Sequence, residues 1–157
     1  MGKELTARES SEQLWYKQAA DKIFNLLEVN RNHASLSSKR WAWELIQNAK
    51  DVPNKYGKVS IEIERVSERE LLFKHNGNPF DLEKNIWGLI RQVSSKSSVN
   101  KDEEITGKFG TGFICTHLLS DVIVVRGVLK YKGYRQFVLE LDRRGETSEE
   151  LALRIKE

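Results

Sequence analysis

The sequence predicts an α+β protein, and two patterns predict it. Apolar residues recur at helical spacing over about 11–29, 37–52 and 82–93, whereas apolar and polar residues alternate over 59–63 and a short apolar run begins at Leu71. A chain of 157 residues is the size of one ordinary domain, long enough to bury a core without disulfide or metal staples. We therefore expect a single domain over 1–157.

The first helix runs from about Ser11 to Val29. Trp15, Ala19, Ile23, Leu26 and Leu27 form its stripe, with Lys17, Gln18, Asp21, Lys22 and Asn25 across much of the other side. It is expected to pack on its own domain; the alternative is an exchanged arm in a homodimer. The second helix, 37–52, takes Ser37 or Ser38 as its cap and ends at Pro53 and the turn cluster Asn54-Lys55-Tyr56-Gly57. Trp41 and Trp43 are two residues apart and cannot share one face of it. One is assigned to the core and the other to a partner or pocket.

Val59, Ile61 and Ile63 then make a half-buried strand that Leu71-Leu72-Phe73 answers, a hairpin. A helix over 82–93 carries Ile86, Leu89, Ile90 and Val93 on one stripe. Val122-Ile123-Val124-Val125 reads as a buried strand, 130–133 as a turn, 136–141 as the returning strand and 148–157 as a short helix.

Composition narrows the function classes. With 39% hydrophobic and 31% charged residues, and no apolar run of bilayer length, the chain reads as a globular protein with no membrane span. The opening Met1-Gly2-Lys3-Glu4-Leu5 has no apolar stretch behind it to serve as a signal, so a cytoplasmic location is expected. A lone Cys115 excludes an intrachain disulfide and suits a reducing compartment. A net charge of +3 is too near balance to argue for nucleic acid. The local alternation Lys130-Tyr131-Lys132-Gly133-Tyr134-Arg135 is read as a solvated hairpin tip, with a nucleic-acid contact as the lesser alternative. His33, His75 and His117 are too scattered for a zinc site.

Three stretches carry chemistry. In Trp43-Glu44-Leu45-Ile46-Gln47-Asn48-Ala49-Lys50-Asp51 the polar residues Glu44, Asn48 and Asp51 stand four and then three apart, on one stripe of a helix. An amide oxygen between two carboxylates suits a hard cation whose remaining ligands are waters and phosphates, with Glu44 one turn away to polarise a water. Taken alone, the same triplet is a solvated helix face. Next, the second hairpin strand runs into His75-Asn76-Gly77-Asn78-Pro79-Phe80, where glycine permits a sharp turn and close approach of a ligand. Last, the polar stretch Ser94 to Glu104 delivers the chain to Gly107-Lys108-Phe109-Gly110-Thr111-Gly112-Phe113. Glycines that open a helix leave free N–H groups at its positive end, a place for phosphate.

In this order the three stretches resemble the Bergerat ATP-binding fold, shared by gyrase, the ninety-kilodalton heat-shock chaperones, histidine kinases and MutL. The resemblance spans about 37–125 and is nearest in flavour to chaperone-like and sacsin-like bacterial ATPases. It implies a two-layer α/β sandwich, a mixed and mostly antiparallel sheet with helices on one face, that binds and slowly hydrolyses ATP with Mg2+. It further implies Glu44 as the catalytic general base, Asn48 as the metal ligand and Asp51 as a support of the nucleotide pocket. Gly77 matches the glycine beneath the adenine, with His75 and Asn76 beside it. Gly107, Gly110 and Gly112 match the lid hinge and phosphate cradle, and Lys108, Phe109, Thr111 and Phe113 supply backbone contacts. Ser95 and Lys96 match the pair that begins an ATP lid over 94–107.

One departure bears on the base. Where the family has an aspartate that accepts from the adenine amino group, this chain has His75, and Pro79 stands at the second glycine; Asp81 or Asn76 could substitute. Lid closure is expected to drive a conformational change or dimerisation through the lid or the first helix. The family's next strand has no counterpart after Arg144, so the chain is expected to be the amino-terminal piece of a longer protein, with downstream domains as partners. The alternative function is a nucleotide-gated interaction module with little or no turnover.

Overall fold

The computed structural model describes residues 6–33, 39–91 and 112–157. The expected lid over 94–107, Ser95 and Lys96 within it, Gly107, Lys108, Phe109, Gly110 and Thr111, and the Ser37 or Ser38 cap all lie outside the described residues.

Helix α1 spans Ala7–Asn32. Thr6 caps it: the Glu9 N–H donates to the Thr6 hydroxyl, while the Thr6 N–H donates to the Glu9 carboxylate at 2.8 Å, so two end groups are satisfied at once. Its stripe is buried inside the domain, the first of the two roles expected for it. Ala20, Ile23 and Leu27 meet Ile114 and Leu151 in one apolar cluster. Leu151 comes from the last helix, α4, Ser148–Lys156, which Thr147 caps.

Helix α2, Arg40–Lys50, is shorter than the 37–52 expected. It leads through a turn in which the Asn54 side chain accepts from the Tyr56 and Lys58 N–H groups at 3.0 and 3.3 Å. Gly57 closes that turn at φ +69°, a backbone region that glycine enters without strain. The predicted hairpin follows, β1 Ile61–Arg65 antiparallel to β2 Leu71–His75, with Ile63 opposite Phe73.

A second sheet has the order β3-β4-β5. The short β3, Phe80–Asp81, runs parallel to β4, Val122–Lys130, and β4 pairs antiparallel along its whole length with β5, Tyr134–Asp142. The architecture is therefore α+β with a mixed, mostly antiparallel strand arrangement. The strands among the described residues form two small sheets where one was expected. Helices cover one face of the larger sheet. Leu45 of α2, Leu89 of α3 (Trp87–Arg91) and Phe113 pack with Ile123, Val125, Leu139 and Leu141. On the opposite face, among the described residues, Val124 is 47% and Val138 69% exposed. That corrects the reading of 122–125 as a strand buried on both sides: an unbroken apolar run resembles a doubly covered strand, but only its alternate members face the helices here.

Two other elements depart from expectation. The helix expected over 82–93 starts as a π-helical turn, Leu82–Ile86, before α3. The Asp81 carboxylate caps that start by accepting from the Glu83 and Lys84 N–H groups. After Gly112 the chain forms a 3₁₀ helix, Phe113–Leu118, in place of an α-helix. This short segment joins the two cores, since Ile114 enters the α1–α4 cluster and Phe113 the cluster beneath the sheet. Serving two cores within two residues leaves little freedom for the wider α geometry. Among the described residues no helix is long and apolar enough to cross a membrane.

Candidate functional site

Helix α2 gathers the described parts of the predicted site. Glu44 lies one turn in from its start, half-buried at 19% side-chain exposure, and its Oε1 accepts from Arg40 Nε at 3.2 Å and Nη2 at 3.1 Å. Arg and Glu four apart on a helix are natural neighbours. Arg40 was not singled out from sequence, although this i,i+4 spacing is the signal that could have found it. The other carboxylate oxygen, Oε2, is aimed at Gly112. A side chain at 112 would overlap Oε2 and stand 2.7 Å from the Glu44 Cδ, so only glycine lets the backbone come this close. Two residues 68 positions apart thus meet.

Cys115 lies in the same corner, its thiol donating to the Gly112 carbonyl at 2.6 Å. Burial, reinforced by the Glu44 carboxylate, pushes that thiol up to about 11. It is therefore an uncharged packing group at neutral pH.

The far end of α2 meets the other glycine segment. Asn48 is half-buried and Asp51, which ends the helix, is exposed. Beyond them the Val52 carbonyl accepts from the Asn78 N–H at 2.9 Å, and a Cβ on Gly77 would collide with that same carbonyl. The loop after β2 is in this way pinned to the end of the helix that bears Asn48. Within the loop the Gly77 N–H donates to His75 Nδ1 at 3.2 Å. Burial lowers the His75 imidazole below its ordinary range, which favours the neutral ring. Asn76 is held in place by the strand beside it, its side-chain oxygen accepting from the Ser60 N–H at 2.7 Å. Phe113 is buried under Leu89 and Leu141. Its part is to anchor the segment after Gly112.

Of the remaining aromatic candidates, Trp43 is 66% exposed on α2, and Trp41 is half-buried and not among the core residues, so neither fills the core place expected for one of them. The hairpin tip is solvated: Tyr134 is 68% exposed and the Lys132 ammonium sits 5.5 Å from the Tyr131 ring centre.

Beneath the site lies a buried pair that the sequence did not flag. His117 and Arg143 are 4% and 3% exposed. The Arg143 guanidinium donates to the Ile90 carbonyl at 3.0 Å and reaches the Leu89 carbonyl at 3.5 Å, so a cation sits at the carboxy-terminal end of α3. Neither nitrogen of His117 has a hydrogen-bond partner among the described residues. No spacing rule links positions 117 and 143, and only the fold brings them together. A groove of about 410 Å³ beside α4 is lined by Arg144, Gly145, Glu150, Leu153, Arg154 and Glu157, none of them a predicted site residue.

The arrangement places a half-buried carboxylate and an amide one turn apart on a helix, with a glycine backbone against each end. Among the described residues no three of His, Cys, Asp or Glu stand together to hold a metal by themselves. No family model matches the chain, and neither a curated protein nor a solved structure matches it.

Proposed function

We propose that the chain binds a magnesium nucleoside triphosphate, ATP in the family that it resembles, across α2, the His75 loop and the Gly112 segment, and hydrolyses it slowly. One observation carries the reading. Two glycine segments from distant parts of the chain close on α2 and on the turn just after it, Gly112 against the Glu44 carboxylate and Gly77 against the Val52 carbonyl. A structural role for Glu44, Asn48 and Asp51 as a solvated helix face would need neither contact.

The donor set fits a cation that arrives with its nucleotide. Asn48 would supply one amide oxygen to Mg2+, and the phosphates and water the rest, which is how this ion is usually held. When bound it would neutralise charge on the phosphates. Arg40 holds Oε1 of Glu44, and Oε2 packs on the Gly112 backbone in the space that a side chain there would fill, so Glu44 would act as general base by turning Oε1 from Arg40 towards a water at the phosphates. Gly112, having no side chain, makes room for that carboxylate. Coupling of the lid to a conformational change or to dimerisation, and of the site to downstream domains, belongs to the same reading.

A second reading, a nucleotide-gated interaction module with little turnover, is favoured by the Arg40–Glu44 pair, which must loosen before Oε1 can act. The exposed Trp43 on the same helix would then be available to a partner.

Phosphate release from ATP, GTP and ITP with Mg2+, beside calorimetric binding, separates the two. Loss of a general base costs about 10²–10⁴ in rate. Glu44→Ala should lose that much turnover and keep binding, and Asn48→Ala should weaken binding in the presence of Mg2+. Turnover by Glu44→Ala equal to the parent's would refute the hydrolytic mechanism. Binding without turnover in the parent would select the interaction module.

A further inference from the structure

A sheet edge presents unpaired N–H and C=O groups to any strand that can reach them, and the edges of this protein are unequally guarded. The hairpin strands β1 and β2 are five residues each, and Lys74 bridges Glu62 and Glu64 across one face of them. Strand β3 is only two residues long. Strand β5, Tyr134–Asp142, is nine residues, and among the described residues it pairs only with β4. It contains no lysine or proline, and its nine successive pairs with β4 leave no bulge. Those are the usual guards of an edge, and β5 lacks all three.

The residues of β5 are also fitted to a second copy of themselves. Turned about a two-fold axis normal to the sheet through Val138, its middle residue, the strand meets its own image antiparallel along its whole length. This register sets Gln136 opposite Glu140, Phe137 opposite Leu139 and Val138 opposite Val138. Partner positions differ by even numbers, so each face of one sheet continues into the same face of the other. A glutamine amide is a donor for the carboxylate that it faces. Pairing in parallel register would instead set Glu140 on Glu140, and like charges directly opposite are unfavourable. Asp142 is held by Arg144 of its own chain at 2.6 Å, so positions 136, 138 and 140 decide the register.

We propose that the β5 edge is a homodimer interface, through which two chains join their three-stranded sheets into one six-stranded sheet about Val138. The apolar surface lies on the same axis. Val138 is 69% exposed and stands opposite Arg126 of β4, diagonal to Val124 and Val128, themselves 47% and 39% exposed. Pairing the edges brings the two Val138 side chains together, each flanked by its own Val124 and Val128, and shields the most exposed of them from water. Strand β4 separates this edge from β3, which follows the His75 loop, so the interface is distinct from the nucleotide site and does not rest on that reading.

The test is sedimentation equilibrium of the full chain without nucleotide over about 1 µM to 1 mM, because an interface made by one strand edge is a small one. The mass should rise with concentration from the 18.2 kDa of one chain to twice that value and stop there, since a two-fold contact closes on itself. Val138→Lys sets like charges opposite each other on the axis and should weaken association by about tenfold. Position 136 tests the register. Gln136→Lys faces Glu140 at two symmetric places and should tighten the dimer by about threefold to tenfold, while Gln136→Glu should loosen it by as much. Within one chain the preference runs the other way, because 136 lies diagonal to Arg126 and Lys130 of β4, so an effect on the fold alone would favour glutamate. The pair of variants at 136 decides the matter if Val138→Lys does not fold. The mass of one chain throughout, growth beyond two copies, or a dimer indifferent to position 136 overturns the proposal.

Discussion

Acidification from pH 7.5 to pH 5 should cost this fold about 2 kcal/mol through His117 alone. The ring is 4% exposed, edge-on to Phe113 at 6.3 Å, and neither nitrogen completes a hydrogen bond among the described residues. Burial, with the Arg143 cation second, pushes the imidazole down to about 4; the nearby Ser120 and Asp121 backbone offsets this only in part. In the unfolded chain the same group titrates near its ordinary 6.5. Between those two values the unfolded state holds the proton and the folded state does not. Stability therefore rises with pH across this window and is lost as pH falls from about 6.5 towards 4. At pH 5 the chain is about 1.5 units below the unfolded value, at about 1.4 kcal/mol per unit, which gives the 2 kcal/mol; below pH 4 the loss levels off near 3 kcal/mol.

Urea unfolding followed by circular dichroism at pH 7.5, 6 and 5 measures this, with His117→Leu as the non-titrating control. His75 is shifted in the same direction and adds to the parent's fall. The difference between parent and His117→Leu isolates residue 117. Asp142, drawn down to about 2 by Arg144, titrates below this range and does not interfere. Equal losses in the two proteins between pH 7.5 and 5, or a folded-state midpoint for His117 at 6.5 in an NMR titration, would refute the reasoning.

Three further outcomes follow from the same geometry. Arg143→Ala removes a charged donor from the Ile90 and Leu89 carbonyls and should cost about 2–3 kcal/mol in urea unfolding; a change below about 0.5 kcal/mol would mean that the guanidinium contributes nothing net. Gly112→Ala drives a methyl group into the Glu44 carboxylate and should cost about 1–3 kcal/mol, most of it relieved by adding Glu44→Ala, so strictly additive effects would argue against the contact. Lys132→Gly should stabilise the β4–β5 hairpin by up to about 1 kcal/mol, read as a higher urea midpoint, because Lys132 holds φ at 48° where side chains are strained; a lower midpoint would show that the Lys132–Tyr131 contact outweighs that strain.

What the sequence by itself determined is local. The alternation that includes Ile61 and Ile63, answered by Leu71–Phe73, became a hairpin over Ile61–Arg65 and Leu71–His75, with Val59 before its first strand, and Asn54–Gly57 became the turn before it. The stripe of Ile23 and Leu27 became a buried helix face. Such patterns are legible because a residue's side of its own element follows from its spacing, without reference to the rest of the chain. Glu44, Asn48 and Asp51 were placed on one helix for the same reason.

Tertiary structure decided everything that needs a distant neighbour. It set Gly112 against Glu44 and Gly77 against the Val52 carbonyl. It divided the strands between two sheets, left Val124 and Val138 uncovered and narrowed the segment after Gly112 to a 3₁₀ helix between two cores. It buried His117 beside Arg143, and by giving His75 Nδ1 to the Gly77 N–H it decided which nitrogen of that ring remains a donor. Periodicity specifies which way a side chain faces; burial, charge state and hydrogen-bond partner depend on what the fold brings to that face.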